Sequence, residues 1–89
     1  MRIVFGPRSW AHYLWWQEEE RAEGLAKLNA LIAECMRHPF TGLGKPEPLK
    51  GELRGLWSRR ITQEHRLVYR VAGSGDEQRL EIVQCRFHY

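Results

Sequence analysis

Residues 44–50 read GKPEPLK and set one carboxylate in an unusual frame. Glu47 stands between Pro46 and Pro48, with Lys45 and Lys50 flanking the prolines. Proline fixes φ, has no N–H, and pushes the residue before it toward extended geometry. Lys45 and Glu47 both precede prolines, so the spacing predicts a stiff, extended loop that presents Glu47 amid positive charge. Arginines and a histidine follow: Arg60, Arg66, Arg70, Arg86 and His88. A carboxylate, several arginines and a histidine can cleave RNA without a metal. The substrate carries its own nucleophile, the 2′-hydroxyl. A base removes its proton, cations stabilise the charge developing on phosphorus, and an acid protonates the departing 5′-oxygen. Many basic domains own a Glu and a His, so residue types alone also fit a non-catalytic RNA-binding module.

Other chemistries have less support. His12, His38, His65 and His88 show no ligand spacing with Cys or Asp, so no metal or cofactor is expected. There is no phosphate-binding glycine loop and no GxSxG, and nothing in the sequence pairs Ser58 with a base. Cys35 and Cys85 lack CxxC spacing and read as buried, reduced thiols.

The elements that must position these groups are legible from periodicity. RIVF at 2–5 is a strand candidate, broken by Gly6-Pro7, and Pro7 suits the first turn of a helix. Trp10, Tyr13, Leu14 and Gln17 follow at helical spacing, and Trp15 and Trp16 suggest a broad core-facing front. Leu25, Leu28, Leu31, Ile32, Cys35 and Met36 form the stripe of a second helix, which Pro39 stops. A glycine- and proline-rich loop spans 39–55. Three strand candidates come next, at 56–62, 65–71 and 80–88. The expected fold is α+β: a small antiparallel sheet with a helical hairpin on one face, in the order β-α-α-β-β-β. Alternation then places Arg60, Arg66, Arg70, Arg86 and His88 together on the uncovered face.

The chain of 89 residues, 43% hydrophobic, suffices for one domain over 1–89 and one modest core. No apolar run reaches membrane-spanning length and no signal-peptide pattern follows Met1, so the expected location is cytoplasmic, with no membrane partner. Net charge is +3, with acidic residues early (Glu18, Glu19, Glu20, Glu23) and Lys45, Lys50, Arg54, Arg59, Arg60, Arg66 and Arg70 later. A basic second half points to a polyanion, nucleic acid first.

Three motifs in order, GKPEPLK, GLWSRRITQEHRLVYRV and CRFHY, closely resemble the YoeB (Txe) family of toxins, within the RelE-like (microbial RNase-like) superfamily of toxin–antitoxin systems. IVF…SWAHYLWWQ and HPFTGLG extend the resemblance over essentially the whole chain. It implies a ribosome-dependent, metal-independent endoribonuclease that cuts mRNA in the ribosomal A site, amid 16S and 23S rRNA, and stops translation. It also implies neutralisation by a YefM/Axe-type antitoxin, contact with operator DNA only through that antitoxin, and pairing as a homodimer. Carried over by motif, Glu47 would be the general base, Arg66 would hold the scissile phosphate, His88 would be the general acid, and Tyr89 would position the substrate. Lys50 and Arg60 match accessory basic positions, and Lys45 and Arg86 join them as expected phosphate contacts. Phe87 departs from the tyrosine common in the family, and the loop GSGDEQ looks longer than usual.

Overall fold

The computed structural model describes residues 1–88. Strand β1 (Arg2–Phe5) leads into helix α1 (Pro7–Trp15), and helix α2 (Ala22–Arg37) follows a single 3-10 turn at Glu19–Arg21. Four strands come after: β2 (Glu47–Pro48), β3 (Trp57–Arg60), β4 (Arg66–Ala72) and β5 (Arg79–Gln84). They form one sheet in the order β1-β5-β4-β3-β2. Among the described residues no helix is long and apolar enough to cross a membrane.

The α+β expectation holds, with two corrections. The sheet has five strands rather than four, because Glu47 and Pro48 pair antiparallel with Ser58 and Trp57. It is also mixed rather than purely antiparallel: β1 lies parallel to β5, Arg2 opposite Arg79 through Phe5 opposite Ile82. A parallel neighbour requires a long crossover, and α1 and α2 lie within it.

Helix α1 begins at Pro7, whose missing N–H costs nothing in a first turn. Ser9 Oγ accepts from Gly6 N–H at 3.0 Å and closes the helix start. Its buried face differs from the expected stripe. Ser9, His12 and the following Trp16 go inside, whereas Trp10 and Leu14 are about half exposed. The stripe of α2 is as read, with Leu28, Leu31, Ile32 and Cys35 buried against Leu67, Tyr69, Leu80 and Ile82 of the sheet. Gly24 makes this packing possible, since a Cβ there would sit 2.1 Å from the Trp16 ring. Both cysteines are buried thiols, and burial pushes Cys85 up to about 12.

The core also holds a charge. Arg59 is fully buried on the helix-facing side of β3. Its Nε donates to Tyr69 Oη at 3.1 Å, Nη1 to Leu43 O at 2.8 Å, and Nη2 to Thr41 O at 2.9 Å and to His38 O. Tyr69 in turn donates to Pro39 O at 2.6 Å. Burial pushes this phenol up to about 12 although Arg59 opposes it, so it stays protonated and able to donate. One guanidinium thus ties the segment after α2 to the sheet. Arg59 belongs to the interior and not to a polyanion surface.

Replacing Arg59 with Leu would remove the donor from three part-buried loop carbonyls and from the buried Tyr69 hydroxyl, at about 1–3 kcal/mol for each group left unsatisfied. Arg59→Leu should therefore lower stability by about 3 kcal/mol or more, read as a shift in the urea midpoint at constant slope. A loss under about 1 kcal/mol would show that the loop is held by other contacts.

Candidate active site and cationic cleft

Cross-strand pairing assembles the site on the face away from the helices. Glu47 lies opposite Ser58, Ser58 opposite Val68, and Val68 opposite Gln84. Directly opposed residues share a face, so these four form one row across β2, β3, β4 and β5. Arg60 and Arg66 are opposed in the same way, two residues along β3 and β4. A cleft of about 90 Å³ is lined by Lys45, Glu47, Ser58, Arg60 and Arg66. Ser58, at its floor, is 2% exposed, as is Val68 opposite it in β4. The structure thus brings together one carboxylate and three cations.

Lys45 reaches this cleft in a way its sequence context argues against. It precedes Pro46, yet its φ is +54°. With Gly44 at φ +80°, two successive left-handed residues reverse the chain just before β2. Arg60 N–H donates to Gly44 O at 2.7 Å and fixes the reversal. Gly44 tolerates no side chain here, because a Cβ would lie 2.6 Å from Leu31 Cδ2 and 3.2 Å from Arg59 Cβ. The left-handed Lys45 is strained, a state that persists only where surrounding contacts impose it. Of the two residues that precede prolines, only Glu47 has the expected extended geometry, in β2.

Arg66 is 8% exposed, and its Nη1 donates to Thr62 O at 2.7 Å, Gln63 O at 3.1 Å and His65 O at 3.1 Å. The turn before β4 therefore holds its guanidinium at the cleft. The same residue anchors the segment that carries His88: Arg66 N–H donates to Phe87 O at 3.0 Å. His88 is exposed and follows directly on that anchored carbonyl.

β5 ends at Gln84, so alternation stops short of the candidate residues at 86 and 88. Gln84 Nε2 donates to Arg86 O at 3.1 Å, and Phe87 turns the chain at φ +68°. Arg86 accordingly leaves the expected face. Its guanidinium lies 3.9 Å from the Trp15 ring centre and 4.4 Å from that of Phe87, while Arg21 stacks on Trp15 at 3.8 Å. Arg70 is also not available as an open cation, because it pairs with Glu81, which Arg79 holds as well at 2.7 Å. These two arginine hydrogen bonds, Arg70 first, keep the Glu81 carboxyl below its usual range. Lys50 does not line the cleft. It stands exposed before the 3-10 turn Gly51–Leu53. Tyr89 lies outside the described residues.

Two histidines with no apparent motif prove structural to the site. Phe87 N–H donates to His65 Nδ1 at 2.8 Å, and Cys85 N–H to His12 Nδ1 at 3.2 Å. Trp16 Nε1 donates to Cys85 O at 2.7 Å. Each imidazole must be neutral at Nδ1 to accept. Desolvation is the first cause lowering both pKa values. Arg8, Arg86 and His65 add to it at His12; at His65, Arg86 and Arg66 lower and Glu64 opposes. No spacing in the sequence announces this pair, since its partners are backbone amides distant in the chain.

Two helices and a five-stranded mixed sheet make the RelE-like toxin fold. YafQ of Escherichia coli, only 16% identical, shares it and superposes with a TM-score of 0.75 over 99% of this chain and 94% of its own. More particularly, the chain belongs to the family of YoeB-like toxins of bacterial type II toxin–antitoxin systems, whose model matches residues 5–89. It is 51% identical to the toxin YoeB of Synechocystis sp. over 100% of this chain and 98% of that one. Among solved structures, a YoeB/ParE toxin from Agrobacterium tumefaciens is 58% identical, with full coverage of both chains and a TM-score of 0.93. A YoeB–YefM toxin–antitoxin complex from Staphylococcus aureus matches at 38% identity and a TM-score of 0.83, over 100% of this chain and 98% of that one.

The neutral histidines fix a pH dependence. A histidine whose pKa is lowered in the fold binds its proton more readily in the unfolded chain. Stability is therefore fully present above the unfolded value of about 6.5 and falls as pH drops through and below it. Urea midpoints should decline between pH 7.5 and 5.5, above the range where carboxylates titrate. His12→Asn with His65→Asn keeps a side-chain acceptor without the titration and should flatten the decline; an unchanged slope would assign it to other groups.

Proposed function

We propose that this toxin is a ribosome-dependent endoribonuclease that cuts mRNA in the ribosomal A site and so halts translation. The observation that carries the reading is the convergence of Glu47, Lys45, Arg60 and Arg66 in one cleft, with Arg66 also anchoring the carbonyl before His88. In the proposed reaction Glu47 takes the proton from the 2′-hydroxyl, and O2′ attacks the adjacent phosphorus. The P–O5′ bond breaks as His88 protonates the leaving oxygen. The products are a 2′,3′-cyclic phosphate and a 5′-hydroxyl. Arg66, held by its Nη1 bonds, stabilises the extra charge on the non-bridging oxygens, with Arg60 and Lys45 beside it. The nucleophile comes from the substrate, so the chemistry calls for no metal-bound hydroxide. Tyr89 positions the substrate in this reading, and Lys50 and Arg86 act as peripheral basic groups outside the cleft.

A single domain over 1–89, working in the cytoplasm where mRNA is translated, completes the proposal. The YoeB of S. aureus has been solved both as a dimer and in a heterotetrameric complex with YefM. By that analogy a YefM-type antitoxin binds and neutralises this chain, and two copies pair; contact with operator DNA, through the antitoxin, is what the family resemblance adds. An acidic peptide laid over the cationic cleft would compete with RNA for the same groups.

The test is cleavage of mRNA on programmed ribosomes, with ribosome-free mRNA as control. Wild type should cut only on ribosomes. His88→Ala should cut at least about 100-fold more slowly while its ribosome affinity stays near wild type, because the lost interaction belongs to the transition state. Tight ribosome binding by wild type without any cleavage would instead make the protein a binding module.

A further inference from the structure

Beside the cleft lies a larger pocket of about 450 Å³, lined by Lys27, Gly44, Lys45, Arg60, Ile61, Thr62 and Gln63. Lys45 and Arg60 line both spaces. The ionisable groups of the larger pocket are Lys27, Lys45 and Arg60, all cationic, and they come from three separate places: α2, the loop before β2, and the end of β3. Its volume falls within the range of about 300–1,000 Å³ usual for sites that take small ligands. On the other side of Lys27 the character changes. The neighbouring depression, about 490 Å³, carries Glu20, Glu23 and Glu64 beside Arg21, Lys27 and His65. A polyanion entering at the cleft is thus drawn along one direction, into the Lys27 pocket, and met by carboxylates beyond it.

We infer that this pocket is a second phosphate subsite, and that Lys27 is a substrate-binding residue for the sugar–phosphate of a nucleotide flanking the scissile bond. The inference rests on the cleft being where RNA is cut, and it extends that site onto helix α2. Lys27 is exposed on the surface of α2, outside the buried Leu28–Leu31–Ile32–Cys35 stripe, so its side chain can change without disturbing the core. The pocket wall is held from beneath: Arg60 N–H bonds Gly44 O, and Gly44 packs against Leu31 and Arg59. The contact with phosphate is electrostatic, so its loss weakens binding in a salt-dependent way without base preference.

The experiment measures fluorescence anisotropy of 2′-O-methyl RNA oligonucleotides, which carry no nucleophilic hydroxyl. A series grows one nucleotide at a time from a core centred on the cleavage position. With wild type, one added nucleotide on one side should raise affinity about fivefold at 0.1 M salt, and steepen the salt dependence by about 0.7, as one phosphate contact does on single strands. Lys27→Ala should abolish that increment and leave affinity for the shorter strand unchanged; Lys27→Arg should restore it. An equal loss for every length, or no loss at all, overturns the subsite. Normal oligonucleotide binding by Lys27→Ala with weakened ribosome binding also overturns it, assigning Lys27 to ribosomal RNA. Binding is read without turnover, so a failure of the proposed cleavage would appear separately, as wild type that binds but does not cut.

Discussion

Arg59 sets the geometry on which the site depends. A guanidinium without water is costly unless its donors are met. Here they meet Tyr69 and the carbonyls of His38, Thr41 and Leu43. The stretch after α2 has almost no regular structure, so those carbonyls would otherwise need water or a ladder partner. Arg59 supplies a ready-made partner set from within β3. The next residue, Arg60, uses its main chain to hold Gly44 and its side chain to line the cleft. Two adjacent arginines thus divide the work: one builds the loop from inside, and the other faces the cleft that the loop completes.

The positive charge is used selectively. Arg70 is compensated by Glu81, Arg86 and Arg21 spend their faces on Trp15, and Arg59 is internal. What remains at the cleft is Lys45, Arg60 and Arg66 around Glu47. A uniformly cationic face would bind any polyanion at many positions. Gathering three cations around one carboxylate instead gives this part of the sheet a directional field, with the carboxylate as its reference point.

Most of this fold could be read in advance, for identifiable reasons. The α2 stripe and the strands at β3, β4 and β5 repeat with the period of their element, and burial follows period. The uncovered face was legible for Arg60 and Arg66 because both lie inside strands. It failed for Arg86, since alternation was carried past Gln84, where the strand ends. Strand β2 has two residues, one of them a proline, too few to show a period. Lys45 defied its proline because the Arg60–Gly44 bond outweighs a local preference. Trp10 and Leu14 misled by composition: large apolar side chains were assigned inward, whereas small Ser9 and polar His12 let the helix approach β5 closely. The clasps at His12 and His65 join residues far apart in the chain, and no local pattern encodes such a pairing.

The parallel pairing of β1 with β5 also orders events in time. Residues 2–5 emerge first during synthesis, but their partners at 79–82 come last. The same holds for His12 and Trp16, whose partner Cys85 lies beyond β5. Contacts of such sequence separation form late and slowly, after the loop-closure entropy of nearly the whole chain has been met. A nascent chain therefore has Glu47 and Arg66 long before it has the segment that carries His88. Closure of the sheet, and the fixing of α1 against it, wait until residue 85 has been added, well after the cleft residues on β2, β3 and β4 are in place.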